Sequence, residues 1–128
     1  MKTDTLLLIQ AVVSALEIHK PVDVILKTRV TKKIQRGLAG WCDTIFHNGR
    51  VSKHSIKINL GATLQSEYDL CGVIAHELIH ARMIEDGSFN PDNHHDKRFQ
   101  IIATHLEKIL DDLGFETGPL YNPVTDNS

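Results

Sequence analysis

The string Ala75-His76-Glu77-Leu78-Ile79-His80-Ala81 lies inside a helical stretch, residues 66–86, that has apolar residues on several sides. Val73, Ile74, Leu78 and Ile79 leave it little room for a solvent face, so the helix has to be embedded. It nevertheless carries two histidines and an acid, and polar side chains inside a core need partners. The fold must therefore enclose this helix and bring other polar groups to it. His76 and His80 are four residues apart and project to one side. Glu77 is rotated by about 100° from His76, beside the pair rather than between its members.

The remaining sequence supplies the elements to build around that helix. Residues 4–19 have helical spacing, with Leu6, Ile9, Val13 and Leu16 on one face, Val12 flanking it, and Pro21 as the stop. Residues 22–33, 39–46 and 53–60 read as three strands. In the last of these, Ser55 to Leu60 alternate polar with apolar. Asn48-Gly49 is a hairpin signal between the second and third strands. Ser66 with Asp69 forms a capping pattern for the central helix, and Gly87 suits its end. A final helix is expected from about Asp92 to Leu113, burying Phe99, Ile102, Leu106, Ile109, Leu110 and Leu113. The order helix, sheet, helix, helix gives an α+β class. The 128 residues fit a single domain, 1–128, with residues 118–128 expected to form a loose tail.

Composition narrows the setting. At 41% hydrophobic residues the chain is not of disordered type. Cys42 and Cys71 are the only cysteines, and they form no C-x-x-C pair. A disulfide framework and a zinc ribbon are both excluded from these residues, and reduced thiols in a reducing compartment are expected. No apolar run reaches the roughly 18 residues of a membrane span. Asp4 and Gln10 argue against a cleaved leader, so the expected location is cytoplasmic or nucleoid-associated. Charge is unevenly placed. Between Lys27 and Lys57 there are eight basic residues and one acid, Asp43. Such a stretch is either a solvated sheet face or a surface for an anionic partner.

The histidine spacing fits a tetrahedral metal, with zinc–nitrogen bonds of roughly 2.0–2.1 Å. Glu77 is then placed to act as a general base. A catalytic site of this kind needs one more protein ligand. Glu85, Asp92, His94, His95, Asp96 and His105 are the candidates, and the adjacent pair His94-His95, where a loop enters the last helix, is favoured. His54 reads as a surface residue and Trp41 as core. Tyr121 has no place that the sequence can assign.

The residues His76-Glu77-Leu78-Ile79-His80-Ala81 and His95-Asp96-Lys97-Arg98-Phe99, with fourteen positions between His80 and His95, resemble the SprT-like zinc metalloproteases. Ala39-Gly40-Trp41-Cys42 and Ile56-Lys57-Ile58-Asn59-Leu60 extend the likeness upstream. The resemblance implies a zincin-like fold, Zn2+ held by His76, His80 and His95, and a water activated by Glu77. Asp96 stands where the family has glycine. The implied activity is a zinc-dependent endopeptidase acting on DNA-associated or DNA-crosslinked proteins. The alternatives are a zinc hydrolase of a non-peptide substrate and a non-catalytic zinc-containing binding module. An edge strand at Ser55, Ile56, Lys57 and Ile58 is expected to take an extended peptide, with Lys53 and Lys57 facing outward toward DNA.

Overall fold

The structure, a computed structural model, describes residues 3–29, 38–61 and 67–121. Its elements are α1 (Thr3–Ala15), β1 (Val22–Lys27), β2 (Gly40–His47), β3 (Arg50–Asn59), α2 (Glu67–Asp86) and α3 (Lys97–Asp112). The class is α+β, as expected. Helix α2 packs against β2 and β3 on one side and against α1 and α3 on others. Ile74, Ala75, Leu78, Ile79, Ala81 and Met83 are all buried, so this helix is enclosed as its composition requires. Among the described residues no helix is long and apolar enough to cross a membrane.

The sheet order is β1-β3-β2. β1 runs parallel to β3, with Val24 beside Ile56, and β2 runs antiparallel to it, with Cys42 beside Ile56. This corrects the expected edge strand. Ser55, Ile56, Lys57 and Ile58 lie on the central strand and are bonded on both sides, so they cannot accept a further strand. Strict alternation shows that one face is buried and says nothing about lateral position. Asn48 and Gly49 both have positive φ, 52° and 76°, which makes the tight turn that their sequence signals. β3 consequently starts at Arg50, three residues earlier than expected. Gly40 lets β2 approach α2, since a Cβ there would come within 2.7 Å of Val73.

Other boundaries shift for local reasons. α1 stops at Ala15 because Glu17 adopts positive φ, 54°. Ile18 N–H then donates to Val13 and Glu17 N–H to Ser14, a Schellman closure four residues ahead of Pro21. The buried face of α1 is Thr5, Leu8 and Val12, while Leu6 and Leu7 are exposed. In a continuous apolar run several helix phases fit equally well, and packing against α2 and α3 selects one. β1 ends at Lys27, and residues 30–33 of the expected strand lie outside the described residues, as does Ser66 with its expected capping box. α3 starts five residues later than expected and buries Phe99, Ala103, Leu106 and Leu110, leaving Ile109 and Leu113 exposed.

His54 is the clearest departure from the surface reading. It is 0% exposed, at the far end of α2 from the histidine pair. Its Nε2–H donates to Glu85 Oε2 at 2.8 Å, and Thr44 Oγ1 is 2.9 Å from its Nδ1. Glu85 also accepts the backbone N–H groups of His19 at 2.6 Å and Lys20 at 3.4 Å. Burial pushes the Glu85 carboxyl up, but the bonds from His54, His19 and Lys20 outweigh it and hold the group below its ordinary value of 4.5. One carboxylate thus ties α2, β3 and the turn leading into β1 together.

Replacing Glu85 with Gln should cost about 1.5–3 kcal/mol at pH 7, measured by urea unfolding of metal-free protein. Because folding lowers this carboxyl's pKa, its contribution is present above 4.5 and is lost as pH falls through the lower folded value. The gap between wild type and variant should close in acid, and a gap constant from pH 7 to 3 would contradict the assignment.

Candidate metal centre

His76 and His80 emerge from the middle of α2, 6% and 4% exposed. His95 comes from the turn before α3, and its ring meets both, with centroids 4.9 Å from His76 and 5.1 Å from His80. One ligand nitrogen from each of the three lies within 4.8 Å of the others. His76 Nε2 and His95 Nε2 are 3.1 Å apart. Two nitrogens on one tetrahedral zinc would be separated by about 3.3 Å, given bonds of ~2.0–2.1 Å, so the observed pair is close to that spacing. The tautomer also fits. His76 Nδ1–H donates to the Leu120 carbonyl at 2.5 Å, which turns the lone pair of Nε2 toward the other two rings. The donor set is that of a divalent transition metal, and zinc suits three imidazoles.

Each ligand is held by its surroundings. Phe99, 0% exposed, lies under all three rings, with centroid distances of 4.9 Å to His76, 4.7 Å to His80 and 4.8 Å to His95. The turn carrying His95 is fixed at both ends. Arg98 reaches back to Asp86 at 3.2 Å, and Gln100 donates to the His95 carbonyl at 3.0 Å. Burial raises the Asp86 carboxyl, but bonds from Ser88 and Arg98 and the charge of Arg82 bring it below its ordinary value. Asp96 is not a second acid at the metal. It is the N-cap of α3, with φ −68°, and its carboxylate accepts Phe99 N–H at 3.0 Å. That φ does not require glycine, so the aspartate occupies the family's glycine position without strain.

The other candidates fall outside the cluster. His94 is exposed and its centroid is 6.2 Å from His80, while His105 is exposed on α3. Glu85 is committed to His54. Glu77 is 1% exposed and directly follows His76. Cys42 on β2 is half-buried. Its thiol is pushed up to about 12, chiefly by burial, with the charges of Glu77 and Asp43 adding to the rise. Among the described residues the cluster that could hold a metal is His76, His80 and His95, without Cys42. Lys53 and Lys57 each face an acid on a neighbouring strand, Asp23 at 3.2 Å and Asp43 at 2.5 Å.

The segment after α3 is the part of the site that sequence reading missed. The expected loose tail is packed as far as Tyr121. Leu120 is 2% exposed, and the Tyr121 ring lies against His95 with centroids 4.9 Å apart. Position near the end of the sequence suggested looseness, and the apolar pair Leu120-Tyr121 is the one local signal that could have pointed to docking.

Fold and site together define an α+β domain in which an H-E-x-x-H helix and the turn before α3 bring together three histidines that could hold a metal ion. The model of the SprT-like family matches residues 18–118, and the chain belongs to that family. No curated protein matches it.

His95→Ala should lose metal, whereas His94→Ala should bind it as wild type does, as read by chelator competition. The opposite pattern would move the third ligand by one residue.

Proposed function

We propose that the chain is a zinc-dependent endopeptidase. The observation that carries this reading is the buried carboxylate of Glu77 next to a cluster that has three histidines among the described residues. Three protein ligands with an adjacent base are typical of catalytic zinc, whereas structural zinc usually has four protein ligands. Zinc held by His76, His80 and His95 supplies Lewis acidity, acidifying water and polarising a carbonyl. Glu77 removes the proton from the attacking water and delivers it to the leaving amine. Its place within an enclosed helix fixes its reach, and Phe99 keeps the imidazoles in register.

An extended substrate needs a sheet edge. β3 is central, but no strand pairs with the outer edge of β2 among the described residues, and β2 packs against α2, with Gly40 close to Val73. β2 therefore replaces β3 as the strand that aligns a peptide. Glu77→Gln should reduce peptide hydrolysis by about 10²–10⁴-fold while retaining zinc. Turnover within tenfold of wild type would remove Glu77 from the chemistry.

The basic stretch supports substrates held on DNA, though not through Lys53 and Lys57, whose charges are matched by Asp23 and Asp43. Arg29 and Arg50 are exposed and better suited to phosphate. Binding to duplex DNA at ~50 mM salt should survive the double change Lys53→Gln, Lys57→Gln and weaken steeply by ~200 mM. Absence of binding by wild type would set the DNA-linked substrate aside.

A further inference from the structure

Residues 117–121 run back along α2 toward the histidines, and three contacts fix them there. The Thr117 carbonyl sits over Gly72, where a Cβ would lie 2.8 Å from its oxygen. One helical turn later the Leu120 carbonyl accepts His76 Nδ1–H. The Leu120 N–H donates to Glu107 Oε1 on α3 at 2.6 Å. Gly72 and His76 are four residues apart and share a helix face, so the strap follows the helix in the same direction. Tyr121, next in the chain, then lies against His95 and within 5.9 Å of Phe99.

We infer that Glu107 is a positioning residue for the metal centre, acting through the Leu120 peptide on His76, with Gly72 as the notch that admits the strap. The inference rests on the zinc reading of the histidine cluster. Imidazole can carry its proton on either nitrogen, and only the form protonated on Nδ1 offers Nε2 to a metal. A carbonyl held 2.5 Å from Nδ1 selects that form. A carbonyl at the end of an irregular segment holds its direction only if the segment is anchored. Glu107 supplies the anchor on one side and close approach over Gly72 supplies it on the other. Glu107 holds the Leu120 N–H and the Leu120 carbonyl meets His76, so the influence of Glu107 on the metal passes through the backbone of Leu120.

The experiment uses full-length Glu107→Ala, Glu107→Gln and Gly72→Ala. Zinc affinity is read by competition with a chromophoric chelator, the site by the visible spectrum of the cobalt-substituted protein, and folding by thermal unfolding without metal. Glu107→Ala should bind zinc about 10–100-fold more weakly and shift the cobalt bands. Glu107→Gln keeps an oxygen that can accept the Leu120 N–H and should recover most of both. Gly72→Ala, which crowds the strap from the opposite side, should weaken zinc in the same range. Affinity in Glu107→Ala within twofold of wild type with unchanged cobalt bands would overturn the inference, as would a Gln variant no better than Ala. If Glu107→Ala does not unfold cooperatively, Gly72→Ala decides, and wild-type affinity in that variant overturns the inference. Wild-type protein that takes up no zinc would overturn the metal reading as well, so the two failures are distinguishable.

Discussion

A helix that buries Ile74, Leu78 and Ile79 alongside His76, Glu77 and His80 must find polar partners inside its own core. Imidazoles and a carboxylate placed there without partners would each cost several kcal/mol, by the usual penalty for burying polar groups. The rest of the molecule meets that demand. The turn before α3 brings His95 and the segment after α3 brings a carbonyl to His76, while Phe99 of α3 packs beneath the rings. The sheet closes the opposite side, and Gly40 allows the close contact between β2 and Val73. Enclosure of α2 is thus the constraint that the positions of the other elements satisfy.

How far the sequence disclosed this depends on the range of the interaction. His76, Glu77 and His80 were legible because helical spacing alone sets their relation. The hairpin turn and the end of α2 were legible because Asn48-Gly49 and Gly87 carry local backbone preferences. His95 could be separated from His94 only through resemblance, since a single-residue choice in a turn is made by tertiary packing. The lateral position of β3 was not legible, because its pairing with β1 comes from contacts that alternation does not encode. His54 was misread for a similar reason. Its partner Glu85 is on another element, and nothing near His54 in the chain marks it as buried.

Two acids show how context decides the role of a side chain. Glu85 sits on the same helix as the zinc-type motif, yet it organises the far end of the core through His54, His19 and Lys20. Asp96 is adjacent to a metal-type histidine, yet its carboxylate caps α3 and thereby sets the height of Phe99 under the rings. Glu77 differs from both in being enclosed immediately after His76. The chemistry proposed for the site depends on that difference rather than on the number of acids nearby.

The central claim is that three imidazoles, and no thiol, hold a zinc ion on this helix. X-ray absorption at the zinc edge of the loaded protein tests it most directly. The account predicts a first shell of nitrogen and oxygen at roughly 2.0–2.1 Å with the outer scattering of three imidazole rings, and no sulfur. A sulfur shell near ~2.3 Å, which would bring Cys42 or Cys71 to the metal, or scattering from fewer than three imidazoles, would contradict it.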